Sequence, residues 1–301
     1  MNSIAANNNV GNGAILDNDD LSPGLANVTL TGTNSFKENR LGGLTISSDG
    51  MVTISNVTAN DNGIVNSSGY GVNVDNSGAS TPKAVTLTGT NQLNGNYSGG
   101  LKVISKGTIT ISNLTASFNF NKGVSLDNIA SGTALPQNVT ITGTSNTNNN
   151  TSAGLDVGTY GTISIGSITA NGNGGSGVSL NNSGGTTPKA VTLTGYVHAY
   201  GNGDGNDYGL YIHSLGAIKI NALDASYNNG SGAWLDNNDA GAVSGITLSG
   251  SNDFNFNTGY GLLGESRGVI LINDLDASGN TAGFGADLDN YVRLGDFHCS
   301  H

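Results

Sequence analysis

The chain has one cysteine, Cys299, so no internal disulfide can form and stability must come from packing. Only four prolines and ten Lys or Arg residues occur among 301 residues, and the formal net charge is −11. Ten scattered cations offer no patch for phosphates, which argues against nucleic acid or an anionic membrane as partner. No stretch approaches the roughly 18 consecutive apolar residues of a membrane span. Met1 is followed by Asn2, Ser3 and Ile4, which is not a secretory leader. What fills the chain instead is glycine, 48 residues, with Asn, Ser and Thr. That composition alone is compatible with disorder. The apolar residues exclude disorder, because they recur as short, strictly alternating strings.

The strings repeat. Val28-Thr-Leu-Thr-Gly returns at Val85, Val139, Val191 and, as Ile-Thr-Leu-Ser-Gly, at Ile246. A sister string, Val52-Thr-Ile-Ser-Asn, returns in related forms at Ile109, Ile163, Ile218 and Ile270, so two turns make one repeat of about 55 residues. A third string, Gly-apolar-x-apolar, appears once per turn, from Gly13-Ala-Ile-Leu to Gly285-Ala-Asp-Leu; its tenth copy, Gly261-Leu-Leu-Gly, loses the final apolar residue. A fourth signal pairs Val57, Leu114, Ile168, Leu223 and Leu275 with an Ala two residues on. Alternation over four residues marks strands with one buried face. A lone short strand cannot bury that face, but parallel copies stacked about 4.8 Å apart can. About ten such turns make a rod on the order of 50 Å long.

Turns of this length with two or three strands resemble the right-handed parallel β-helix of pectate-lyase-like proteins and bacterial surface adhesins. The resemblance runs from residue 5 to 290 and implies an all-β solenoid without implying an activity. The expected organisation is a single β-helix over residues 1–290, read as a segment of a longer array, and a non-repeat tail or cap at 291–301. The array starts inside a turn with no visible N-terminal cap. The pairs Asp17-Asn18, Asp75-Asn76, Asp127-Asn128, Asn181-Asn182, Asp236-Asn237 and Asp289-Asn290 read as corner residues that satisfy backbone groups, with Gly supplying positive φ.

One repeat is irregular. It reads Tyr196-Val-His198-Ala-Tyr200-Gly-Asn-Gly-Asp204-Gly-Asn-Asp207-Tyr208-Gly-Leu-Tyr211-Ile-His213, and holds two of the four His and four of the ten Tyr. Aligning the Gly strings gives an outward column in which Tyr211, Trp234 and Leu263 are consecutive. Exposed aromatics in a row suit the apolar faces of sugar rings. Tyr211 and Trp234 are therefore the candidate glycan contacts, with Tyr196, His198, Tyr200, Asp207, Tyr208 and His213 as polar and stacking neighbours. The bland reading is that a loop or cap covers them.

Other chemistry is thinner. Asp204 and Asp207, with Asn202 and Asn206, offer oxygen ligands for Ca²⁺ without a full calcium-loop pattern. His298, Cys299 and His301 suit Zn²⁺ but sit on the tail. A lyase or glycosidase needs clustered carboxylates or a carboxylate with a base. Adjacent acids occur only at Asp19-Asp20. Outward Thr pairs such as Thr29/Thr31, Thr86/Thr88 and Thr140/Thr142 resemble the ice-binding face of some β-helical antifreeze proteins, although Thr also favours exposed strands. The reading that emerges is a non-enzymatic extracellular or cell-surface structural or adhesin segment, partnered by glycans or by neighbouring repeats. A carbohydrate-active enzyme and an ice-binding protein are the rivals.

Overall fold

The computed structural model describes residues 1–19, 26–129 and 136–291. The chain is a parallel β-helix of about nine turns, close to the ten expected, and the described residues include no helix. No helix is therefore long and apolar enough to cross a membrane. His298, Cys299 and His301 lie outside the described residues, as does Asp20.

Two long sheets form the walls. One stacks eleven strands in chain order from Ala14–Asn18 to Ala286–Asn290, built from the Gly-apolar-x-apolar strings. Its register places Ile15, Thr45, Asn73, Lys102, Ser125, Asp156, Ser179, Tyr211, Trp234, Leu263 and Asp287 in one outward column, as the alignment of strings requires. The other wall alternates opener and sister strings: Val28 pairs with Val52, Val52 with Val85, Val85 with Ile109, and so on to Ile246 with Ile270. Every ladder is parallel because each strand meets an equivalent string, running the same way, one turn later.

The inward residues stack into a continuous core. Leu30, Ile54, Leu87, Ile109, Leu101 and Val178 are fully buried, as are Phe36 and Phe254. A buried side chain of this kind contributes about 1.5–3 kcal/mol relative to exposure. Gly264 interrupts one column, and Leu288 from the next turn reaches into the gap, where a Cβ on Gly264 would lie 2.8 Å from its Cδ2.

The glycine that opens each string is needed for space, not for backbone conformation. A Cβ on Gly123 would lie 2.6 Å from both the Ala116 and Gly154 carbonyl oxygens and 2.7 Å from Asn150 Nδ2. Gly71, Gly154, Gly177, Gly209 and Gly232 face the same three-sided contact. The Asn nitrogen in that contact belongs to a buried ladder: Asn39, Asn62, Asn96, Asn119, Asn150, Asn173, Asn202, Asn228 and Asn257. In each pair the backbone N–H and Nδ2 of one Asn both donate to Oδ1 of the next, as from Asn150 to Asn173 at 3.0 and 3.0 Å. Nδ2 also donates to an earlier carbonyl, from Asn150 to Ala116 at 3.0 Å. Nothing smaller or less polar than Asn can do both, since the position needs a donor and an acceptor away from water.

The Asx pairs do form corners. Asp75 Oδ1 accepts from the Ser77 N–H and Asp236 Oδ1 from the Asn238 N–H, closing Asx turns. Asn76 Nδ2 donates to the Lys83 carbonyl and Asn182 Nδ2 to those of Gly161 and Lys189. Between these turns Ser105, Thr159 and Ser214 hold the same corner by accepting from the N–H two residues on.

The sequence pattern missed a third segment in the opener turns, such as Asn34–Ser35 and Asn91–Gln92. Their inward residue is Asn rather than an aliphatic, so no apolar alternation announces them. Asn34 and Asn91 are fully buried and donate to the Ser55 and Ser112 carbonyls across the next turn, at 2.8 and 2.7 Å.

Candidate functional site

The irregular turn and its two successors gather most of the unusual side chains. Tyr211 pairs with Trp234 across adjacent strands, and their ring centroids lie 5.2 Å apart. Tyr208, at the start of the strand Tyr208–His213, sits 5.6 Å from Tyr211 and 5.5 Å from Trp234. Each ring is half-buried by the other two, so the solvent-facing column expected from the strings is a three-ring cluster instead. The Trp234 Nε1 is buried and meets no hydrogen-bond acceptor, so this indole offers its ring rather than its N–H. Burial, and then Asp236, Tyr208 and Asp239, push the Tyr211 hydroxyl above its ordinary range; burial and Asp207 do the same for Tyr208. Both hydroxyls stay protonated and available as donors at neutral pH.

His213 extends the cluster, 6.4 Å from Tyr211. Its Nε2 lies 2.8 Å from Asp239 Oδ2 and 3.5 Å from Asp236 Oδ2, and its Nδ1 lies 3.2 Å from Ser183 Oγ. A serine, an imidazole and a carboxylate in line invite comparison with a nucleophile and its base. Here the Ser183 hydroxyl donates to Asn181 Oδ1 at 3.0 Å, and the same oxygen accepts the Ser183 N–H. The line is therefore a corner that holds the imidazole, with the hydroxyl proton already engaged.

Tyr196, His198 and Tyr200 are not neighbours of Trp234. They lie on the other sheet and its corner, on the strand Val191–His198 and just beyond it, and no ring contact joins the two groups. They begin a second aromatic run: Tyr196 to His198 at 6.1 Å, His198 to Tyr200 at 5.9 Å, Tyr200 to Tyr227 at 5.0 Å and Tyr227 to Phe256 at 4.9 Å. His198 Nδ1 accepts from Asn171 Nδ2, whose Oδ1 takes the Tyr200 N–H, so Nε2 carries the hydrogen toward Asp224 at 3.0 Å. Tyr227 and Phe256 were not legible as site residues, because they sit in polar corner segments with no apolar string around them.

Of the oxygen ligands that Asn202, Asn206, Asp204 and Asp207 offer for Ca²⁺, the first is taken by the ladder. Asn202 is fully buried in the Asn ladder, its Oδ1 taken by Asn173 and its Nδ2 given to Asn228. Asp204 and Asn206 are exposed, and Asp207 accepts from Ser176 Oγ at 3.2 Å. Among the described residues no group of three or more His, Cys, Asp or Glu side chains is placed to hold a metal.

The outward Thr column of the second sheet is in register over five turns, Thr29, Thr53, Thr86, Thr110 and Thr140. It then meets Ser164, Thr192 and Lys219. Taken together, the ladders and columns define the class: this is a parallel β-helix repeat protein. No family model, curated protein or solved structure matches the chain.

Proposed function

We propose that this chain is a non-catalytic segment of an extracellular β-helix, a rigid stalk or adhesin, that contacts glycan through Tyr208, Tyr211 and Trp234. The observation that carries the reading is the three-ring cluster on a mostly polar sheet face. Its rings are fixed by one another and by the ladder beneath, so binding a sugar face costs little side-chain entropy. The protonated hydroxyls of Tyr208 and Tyr211, with Asp207 and His213 at the margin, supply polar contacts around that platform. The test is a glycan array probed with the intact chain, Tyr211→Ala and Trp234→Ala, with circular dichroism to report folding. Binding that vanishes in folded variants supports the proposal; binding unchanged in both removes it.

The five-turn Thr column motivates a second reading, ice binding by the opposite class of surface. It predicts thermal hysteresis that falls when Thr86 is replaced by Tyr. A freezing point that stays at the colligative value at millimolar protein would end that reading.

A further inference from the structure

The platform of Tyr208, Tyr211 and Trp234 is fenced by carboxylates. The strand register sets a second outward column two residues beyond Tyr211, Trp234 and Leu263, and it reads His213, Asp236, Glu265 and Asp289. Residues two apart in a strand share a face and lie about 6.6 Å from each other, so this column runs beside the rings along the rod. Asp207 adjoins Tyr208 at the other end of its strand, and Asp287 follows Leu263 in the ring column itself.

Little cancels this charge. His213 faces both Asp239 and Asp236, at 2.8 and 3.5 Å, so even a protonated imidazole balances only one of the two. Asp207, Glu265 and Asp287 form no salt bridge among the described residues. Arg267, one turn on, gives its Nε–H to the Asn238 carbonyl at 2.6 Å and pairs with no carboxylate among the described residues. Lys102, the cation of the ring column, stands four strand spacings from Tyr211. That is roughly 19 Å, well beyond the screening length of about 8 Å at physiological salt. Asp236 keeps only 15% of its side chain exposed, so solvent screens it less than a surface acid. Burial and then Asp236 hold the Tyr211 hydroxyl above its ordinary range, and burial, Asp236, Asp289 and Asp287 raise the Glu265 carboxyl. The fence thus acts on atoms that a ligand on the rings would meet.

We propose that this platform selects neutral glycans and rejects those bearing carboxylate or sulfate, and that Asp236 and Glu265 set the selection. The inference rests on the glycan reading of the platform and adds the class of glycan. Aromatic faces hold the apolar face of a sugar whatever its charge, so the rings alone do not discriminate. An acidic substituent seated over Tyr211 or Trp234 stands beside carboxylates that have no cation to offset them, and that repulsion sets the acidic glycan apart from the neutral one. A neutral sugar meets no such repulsion, and its hydroxyls find acceptors in the same oxygens.

The test is a glycan array that prints neutral oligosaccharides beside their sialylated, uronate-containing and sulfated counterparts, probed with the full chain at low and high salt. Each neutral glycan bound should exceed its acidic counterpart by about tenfold at low salt, and the gap should narrow as salt rises. The Asp236→Asn/Glu265→Gln double variant keeps both shapes and the amide oxygen that closes the Asx turn onto the Asn238 N–H. It should narrow the gap severalfold at low salt, with circular dichroism to report folding. Trp234→Ala should lose neutral and acidic binding together. Acidic counterparts bound as tightly as neutral ones, or a gap unchanged in the folded double variant, would overturn the selection and leave the platform standing. Neutral binding that survives in Trp234→Ala, or no glycan bound at all, would remove the platform and this inference with it.

Discussion

Residues 1–195 and 196–290 share one architecture and differ in what they place on its surface. The first region carries nine acidic and seven basic residues, net −2, and six aromatics over 195 positions. The second carries eleven acidic and two basic residues, net −9, and ten aromatics over 95 positions. The inward columns hardly change: Ile109 and Ile218 occupy equivalent places, as do Leu101 and Leu210, and all four are buried. The difference teaches that in a solenoid the core specifies the rung and leaves the outward positions free. Nearest-neighbour stacking then lets an unusual surface be concentrated in a few turns without disturbing the rest.

The comparison breaks first at the shared interior. Asn150→Ala in the regular region should destabilise by about 3 kcal/mol or more, since it orphans the Asn119 N–H and Nδ2 as well as the Ala116 carbonyl. Asn228→Ala in the second region should cost a similar amount, measured by urea unfolding. A large disparity between them would mean the two regions do not share one ladder. Next, Gly123→Ala forces a methyl to 2.6 Å from two carbonyl oxygens and should cost several kcal/mol, read from the loss of amide protection in the turns around it.

The surfaces should respond differently to pH. Burial, with Asp224 and Asp276, raises Asp253; burial, with Asp236, Asp289 and Asp287, raises Glu265. A carboxyl raised in the folded state favours folding most when protonated, and that contribution is lost as pH rises through its folded pKa. Mild acidification from neutrality toward the top of the carboxylate range should raise the amide protection factors, taken relative to the intrinsic exchange rate at each pH, in Ile246–Leu248 and leave those of Val85–Thr88 unmoved. Asp253→Asn or Glu265→Gln should flatten the response. Equal responses in both regions would show that the stacked acids are fully screened by solvent.

The smallest effect sharpens the comparison at the corner. Tyr227→Gly should leave the melting temperature unchanged or raise it, because relief of roughly 1–2 kcal/mol of left-handed strain offsets the entropy that glycine loses on folding. Asn149→Gly tests the same corner in the first region, where a polar residue already tolerates φ of +54°, and should shift stability less. A clear fall in melting temperature for Tyr227→Gly would mean its ring packs for stability, through its stacking on Tyr200 and Phe256.

The strings at Val28, Val52 and Gly43 were enough to read the fold and the strand register, because a side chain's burial in a strand follows from period two and its partner from the repeat. The column that put Tyr211 beside Trp234 followed from the same arithmetic. What could not be read was the corner that the buried Asn ladder builds. Asn150, Asn173 and Asn202 look like ordinary loop residues in a chain rich in Asn, and only their stacking shows that they are buried. For the same reason Asn202 reads as a free oxygen ligand in the sequence, and Tyr196 and Tyr200 read as neighbours of Trp234 although a bend carries them to another face.

By itself, then, the sequence determined that the chain stacks as parallel strands, which residues face inward, and which outward residues share a column, since these depend on local alternation and a fixed repeat. The tertiary structure decided which columns share a face, why glycine must open each string, and that Tyr227 and Phe256 continue the line from Tyr200. Those depend on the angle the chain turns through at each corner, which is set by left-handed residues and by an Asn ladder whose members recur four residues before most of the opening glycines without any apolar alternation to mark them as buried.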